Sequence, residues 1–196
     1  MTPGDEANVL RCTLRSVPID YRTQLACADA FRRLAQPLIP GIRSLPEGAG
    51  ADPDEGIGDL AACAANMAFA LELYLKLMIA LPGGQVPHTH DLRRLYDALP
   101  DWMRMKVVER YREKGPFRVI TLATGLGDSP EWLDSKSADL PSVLSRSGDA
   151  FDAWRYMFEI EVLPAGEYQY RRFEYGSLDC ACQAIRDTIS EVIGEP

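Results

Sequence analysis

The stretch IGDLAACAANMAFALELYLKLMIAL, residues 57–81, decides the fold of this chain. Apolar side chains recur along it at alternating steps of three and four residues, and a second apolar set covers other faces of the same helix. The first set is Ile57, Leu60, Ala64, Met67, Leu71, Tyr74 and Met78, and the second is Ala62, Phe69, Leu73, Leu77 and Ala80. A helix that is apolar nearly all round is a central helix or one shared between subunits. We predict one continuous helix over 57–81, with the rest of the chain folded around it.

Composition and charge favour a single soluble domain and argue against a membrane-spanning or DNA-binding protein. The 196 residues suit one domain, and the net charge of -8 argues against unspecific binding of DNA or RNA, where phosphate contacts dominate the affinity. Residues 57–81 are long enough to span a bilayer, but Asp59, Glu72 and Lys76 would each cost about 2.5–3.5 kcal/mol at its centre. Residues 1–7 do not resemble a signal peptide, and the five cysteines lack zinc-ligand spacing. We expect a cytoplasmic protein that binds neither membrane nor DNA.

Further helices are predicted on both sides of the central one. The first begins at Asp20 and the last covers about 178–193, while 140–146 and 149–161 also read as helices. Thr89 is expected to cap one helix and Asp101 another. Two sets of apolar residues are predicted to share one side of their helix: Tyr21, Leu25, Ala28, Phe31 and Ala35; and Trp102, Met105, Val108 and Tyr111 or Arg112. Two further sets are predicted to face inward: Leu92, Leu95 and Leu99; and Ala181, Ile185, Ile189 and Val192 or Ile193.

Three other segments favour extended structure. Residues 1–17 predict an extended arm, 117–123 fits a strand or a helix, and 167–175 alternates in the manner of a strand. Short links between neighbouring helices favour antiparallel packing. The fold prediction is therefore one all-α domain over 1–196, an antiparallel bundle of five or six helices with a possible small β arm.

Glu72 and Lys76 stand four residues apart on the central helix, in the order that favours an ion pair. One interpretation is a pair on the least buried strip of the helix, worth a few tenths of a kcal/mol. The other is a polar cluster inside a groove. Arg155 and Tyr156, which lie among core aromatic residues, predict either a pair with a carboxylate or a phosphate contact.

The two histidines, His88 and His90, lie in one loop next to Asp91. Two imidazoles without a cysteine or a remote ligand are a weak metal signal, so we expect no metal. His90 is interpreted as a structural or binding residue at a helix start, and an imidazole can also act as a general base near neutral pH. No dinucleotide fingerprint, phosphate-binding loop or nucleophile elbow is present, and we expect no cofactor.

Aromatic and basic residues interleave near the C-terminal end, at Tyr168, Tyr170, Arg171 and Arg172. Bases stack on aromatic rings and arginine contacts phosphate, so this segment could form a surface for single-stranded RNA. The alternative, favoured by the acidic charge of the chain, is a β arm that packs its rings on the bundle.

Three stretches taken together resemble HEPN-type helical domains of prokaryotes. They are AFALELYLKLMIA (68–80), THDLRRLYDALP (89–100) and FDAWRYMFE (151–159), and the resemblance covers roughly 57–193. It implies a helical bundle that is usually dimeric, and often a ribonuclease of a toxin–antitoxin or defence system. The matching residues are Glu72, Lys76, His90, Asp91 and Arg155. We expect them to form one polar cluster, and a homodimer through 57–81, because one small bundle would struggle to cover every apolar face of that helix.

The chain departs from the family's ribonuclease motif, in which an arginine precedes a histidine by four to six residues. The required arginine would fall within 81–85, and LPGGQ contains none. We therefore expect a non-catalytic or atypical HEPN-like protein that acts on RNA, a nucleotide or a protein partner. The alternatives are a divergent metal-independent ribonuclease, with His90 as base and Arg155 or Lys76 as phosphate stabiliser, and a purely structural partner of another protein.

Overall fold

The computed structural model describes residues 20–36, 53–114, 120–124, 139–148 and 169–194, with the backbone alone at 53–57, 60, 120–124 and 169–173. In these ranges the chain forms six helices and two short strands. They are α1 Tyr21–Ala35, α2 Pro53–Ala80, α3 Leu92–Asp97, α4 Asp101–Glu113, β1 Ile120–Thr124, α5 Leu140–Arg146, β2 Gln169–Phe173 and α6 Tyr175–Ile193. The all-α bundle predicted from the sequence is confirmed. The expected arm 1–17 and the expected helix 149–161 lie outside the described residues.

Helix α2 is the centre of the bundle, as predicted. It packs against α1, α6 and α3, and Met67, Leu71, Tyr74 and Met78 are 0% exposed. Each buried methylene contributes about 0.8 kcal/mol, so this helix supplies a large part of the core. The homodimer through 57–81 stays a prediction. The chain's own helices bury most apolar residues of α2 between Cys63 and Ala80, while Phe69 and Leu73 are only partly buried.

Part of α2, Ala61–Ala80, is long and apolar enough to cross a membrane, and 67% of it is buried inside the bundle. A core helix of a soluble protein has the same length and hydropathy, because it too is surrounded by apolar groups. In this structure α2 is surrounded by α1, α3 and α6.

Two glycines end α2 and turn the chain toward α3. Gly83 has φ of 81°, a left-handed conformation that glycine adopts without strain. Its N–H donates to the Ala80 carbonyl at 2.9 Å, and the Gly84 N–H donates to the Ile79 carbonyl at 3.0 Å. A Cβ on Gly84 would stand 2.5 Å from the Ile79 oxygen, so no larger residue fits there without a shift of the backbone.

Helices α1 and α6 lie against α2 and are joined to each other by ion pairs. Arg32 donates to Asp179 at 2.8 Å, and Arg186 donates to Asp29 at 3.1 Å. The hydroxyl of Tyr74 on α2 donates to the same Asp29 carboxylate at 2.5 Å. Three helices are thus connected through one carboxylate, and burial is the main reason that the pKa of Tyr74 is raised.

The apolar stripe predicted for α4 is buried at Tyr111, as expected, but the prediction was wrong at Trp102 and Met105. Met103, Val107 and Tyr111 are buried, whereas Trp102 is 44% exposed and Met105 is 66% exposed. Helix α4 packs against α6, where Lys106 and Arg110 pair with Glu191. Apolar residues occupy two faces of α4, so periodicity alone could not decide which face is inside, and the contacts with α6 decide it.

The two strands form an antiparallel pair in which Ile120 is opposite Phe173 and Thr124 is opposite Gln169. This confirms extended structure for 169–173 and selects the strand for 120–123. Helix α6 follows at once and begins at Tyr175, earlier than predicted. Its predicted inner residues Ala181, Ile185 and Ile189 are 0% exposed, while Val192 is 38% exposed.

Candidate functional site

A buried carboxylate on α2 is the centre of the candidate site. Glu72 is 2% exposed, although its neighbours on the helix, Leu71 and Leu73, are apolar. An ionised carboxylate inside a protein needs donors to replace its water shell, since burial without partners costs several kcal/mol. The sequence interpretation that placed this residue on the least buried strip was therefore wrong.

Two cationic or titratable side chains supply those donors. Lys76 Nζ donates to Glu72 Oε1 at 2.6 Å, and His90 Nδ1 donates to Glu72 Oε2 at 2.9 Å. The Lys76 side chain is 22% exposed and that of His90 is 57% exposed. The carboxylate is therefore inside, while the groups that it holds reach the surface.

The loop before α3 positions His90. The Asp91 carboxylate accepts from the Arg94 N–H at 3.0 Å, and the Asp91 N–H donates to the Thr89 hydroxyl at 3.1 Å. Asp91 is thus the N-cap of α3, and the prediction that Thr89 is the cap was wrong, because the helix begins at Leu92. The Leu92 N–H also donates to the Gly148 carbonyl at 3.4 Å, which ties this loop to the end of α5.

The geometry restricts what the imidazole can do. Because Nδ1 donates to a carboxylate, the lone pair of the neutral ring is on Nε2, and the ring is oriented by a buried group. A carboxylate that holds a histidine in this way is the arrangement found in general acid–base sites. Lys76 adds a positive charge on the other oxygen of the same carboxylate.

The remaining predicted site residues are placed as follows. Arg155, Tyr156 and Tyr168 lie outside the described residues, and His88 is exposed. Tyr170, Arg171 and Arg172 are in β2, opposite Ala123, Leu122 and Thr121. Among the described residues, no group of three or more His, Cys, Asp or Glu side chains is placed to hold a metal ion.

A second buried carboxylate was not predicted from the sequence. Glu174, 2% exposed, accepts from Arg146 Nε at 2.5 Å and from Arg146 Nη2 at 3.1 Å. The hydrogen bond to Glu174 is the main cause that raises the pKa of Arg146. Tyr111 lies in the same region, and burial raises its pKa to about 12. The two partners of the ion pair are 28 residues apart, so no local spacing in the sequence indicates it.

Comparisons of the chain with models of protein families, with curated proteins and with solved structures find no match.

Proposed function

We propose that this is a HEPN-like, non-catalytic RNA-binding protein of a bacterial stress or defence system, acting in the cytoplasm, with Lys76 and His90 as its RNA contacts. The observation that carries the proposal is the buried Glu72 carboxylate, which orients both side chains toward the surface. Glu72, Lys76 and His90 are also three of the residues on which the resemblance rests, and they come from two separate stretches of the chain.

The ligand would be held through its phosphates. A lysine ammonium and a protonated imidazole both donate to phosphate oxygens, and Glu72 fixes their positions without a direct contact to the ligand. On a chain of net charge -8 the attraction must be local. Two phosphate contacts on a single strand give a slope of log affinity against log salt of about -1.4, which is shallow for an RNA-binding protein.

A metal-independent ribonuclease is the second candidate, and the His90 geometry favours it. In that reaction Nε2 would take the proton of a ribose 2′-hydroxyl while the 2′-oxygen attacks phosphorus, and the 5′-oxygen would leave with a proton from water. Lys76 would stabilise the negative charge on the phosphoryl oxygens. An imidazole that is 57% exposed and oriented by a buried carboxylate meets the positional requirement for such a base.

The test is incubation with end-labelled single-stranded RNA and with transfer RNA, in chelator, at low and moderate salt. We expect a retained complex that Lys76→Met weakens at least about tenfold, which corresponds to roughly 1.4 kcal/mol. Lys114→Met is the matched control, because Lys114 also pairs with a carboxylate at 2.6 Å and is 24% exposed.

The outcomes separate the candidates. Cleavage that His90→Ala abolishes and His88→Ala preserves would replace the binding proposal by the ribonuclease. Intact RNA without a retained complex would contradict both, and the cluster would then be structural in a protein that acts through a protein partner. Equal effects of Lys76→Met and Lys114→Met would also contradict the proposed site.

A further inference from the structure

The outer face of α4 is an apolar stripe between charged ends. Met105 is 66% exposed and Trp102 is 44% exposed, although each side chain is large enough to contribute substantially to a core. Val108 next to them is half-buried. The opposite face of α4, with Met103 and Val107, already packs inside the bundle. Val108 packs partly against the core, whereas Met105 and Trp102 offer apolar surface that the described part of the bundle leaves exposed.

The stripe is complementary to a second copy of itself that runs in the opposite direction. Asp101, Met105, Val108 and Arg112 follow one another at steps of four, three and four residues, so they share one face of the helix. An acid stands at the N-terminal end, a base at the C-terminal end, and two apolar residues stand between them. A second α4 running antiparallel would place each acid opposite a base and each apolar residue opposite another.

We propose that α4 is a self-association surface, and that its occupant is a second copy of this chain related by a two-fold axis between Met105 and Val108. Each Asp101 then faces Arg112 of the second copy, and Trp102 lies beside the same guanidinium, where a cation–π contact forms. The side chain of Asp101 is 84% exposed, so its carboxylate can accept a donor from a second copy in addition to Arg104.

The charge around the stripe favours a second copy over a nucleic acid. A groove of about 750 Å³ runs along the same helix toward α3 and α5, and three arginines and three carboxylates line it. On a chain of net charge -8, such a balanced surface is a place where two copies approach without repulsion. One helix face is smaller than the roughly 800 Å² per partner of a stable complex, so the groove must contribute and the association is weak.

The test is sedimentation velocity of the full chain from about 1 to about 500 µM, the range in which weak interfaces associate. We expect a concentration-dependent dimer. Asp101→Lys places Lys opposite Arg112, and Arg112→Asp places Asp opposite Asp101, so each variant alone should dimerise at least about tenfold more weakly. An equimolar mixture of the two variants should regain association, because each contact between unlike copies is then attractive.

Arg33→Asp on α1 is the matched control, since Arg33 is also an exposed arginine in the last turn of a helix. It should leave the dimer unchanged, and urea unfolding of each variant confirms that it is folded. A wild-type chain that stays monomeric over the whole range would overturn the proposal. A mixture that associates no better than its components would overturn it as well.

Discussion

Among the residues that the structure describes, two glutamates are buried to the same extent and have different partners. Glu72 and Glu174 are each 2% exposed. Two nitrogens of Arg146 bind Glu174, at 2.5 and 3.1 Å. Lys76 and His90 divide the oxygens of Glu72 between two residues from different elements.

The Arg146–Glu174 pair is a rigid structural clamp, whereas Glu72 orients two groups that reach the surface. A guanidinium binds a carboxylate through a rigid fork of donors, so Arg146 fixes the position of Glu174. Lys76 and His90 each give Glu72 a single donor, and the His90 side chain is 57% exposed. Burial of a carboxylate is therefore no guide to function until the groups that it holds are known.

The largest effect is expected at the clamp. Arg146→Met leaves the Glu174 carboxylate buried without this guanidinium and should lower the free energy of unfolding by about 3–5 kcal/mol. Urea unfolding followed by circular dichroism measures it. Arg93→Met is the control, because the Arg93–Asp97 pair is 39% and 45% exposed and should contribute less than about 1 kcal/mol. Equal losses in the two variants would show that Glu174 does not depend on Arg146.

At Glu72 the loss of one partner should be partly compensated by the other. Lys76→Met and His90→Ala should each lower the free energy of unfolding by about 1 kcal/mol, the usual contribution of one hydrogen bond. The double variant leaves the carboxylate without both donors and should lose clearly more than the sum of the two. Strict additivity in this double-mutant cycle would contradict the shared carboxylate.

The cap of α3 links stability to the site. Asp91→Ala removes the acceptor for the Arg94 N–H and should cost about 1 kcal/mol. Because Asp91 follows His90 directly, RNA retention should fall with it. Asp20→Ala removes the equivalent cap of α1 and should leave RNA retention unchanged. Retention that falls equally in both variants would mean that the loss reports global stability.

The smallest expected effect is a decline of the free energy of unfolding at alkaline pH, caused by Tyr111 near Glu174. Burial raises the pKa of Tyr111 to about 12, above the usual value of about 10, so the folded state favours the neutral phenol. The resulting stability is complete below about pH 10 and is lost as the pH rises through about 12. At pH 10.5 the loss should be somewhat below about 1 kcal/mol. Tyr111→Phe should unfold with a shallower alkaline decline, and an unchanged decline would contradict this account.

The central helix α2 and the Glu72–Lys76 half of the candidate site could be predicted from the sequence. The apolar period predicted α2, and the four-residue spacing predicted the Glu72–Lys76 pair, because both are local properties of a helix. The bond from His90 to the same carboxylate spans 18 residues and a glycine turn, so local spacing could not predict it. The resemblance grouped these residues, but distances and burial came from the fold.

The rotation of α4 shows a second limit. Trp102, Met105 and Val108 satisfy the helical period as well as Met103, Val107 and Tyr111 do. Only the packing of α4 against α6, with Lys114 on Asp187 and Arg110 on Glu191, decides which set is inside. A helix with two apolar faces is thus a case in which tertiary contacts, and not periodicity, determine the core.

The pairing of α1 with α6 has a consequence for synthesis of the chain. Arg32 and Asp179 are 147 residues apart, and Met67 on α2 contacts Cys182 across 115 residues. On the ribosome α2 therefore emerges long before α6, which is one of the helices that cover it. Stalled nascent chains that end before Tyr175 should be cut by protease within α2, whereas released full-length chains should resist. Resistance of the stalled chains would show that α1 and α3 protect α2 without α6.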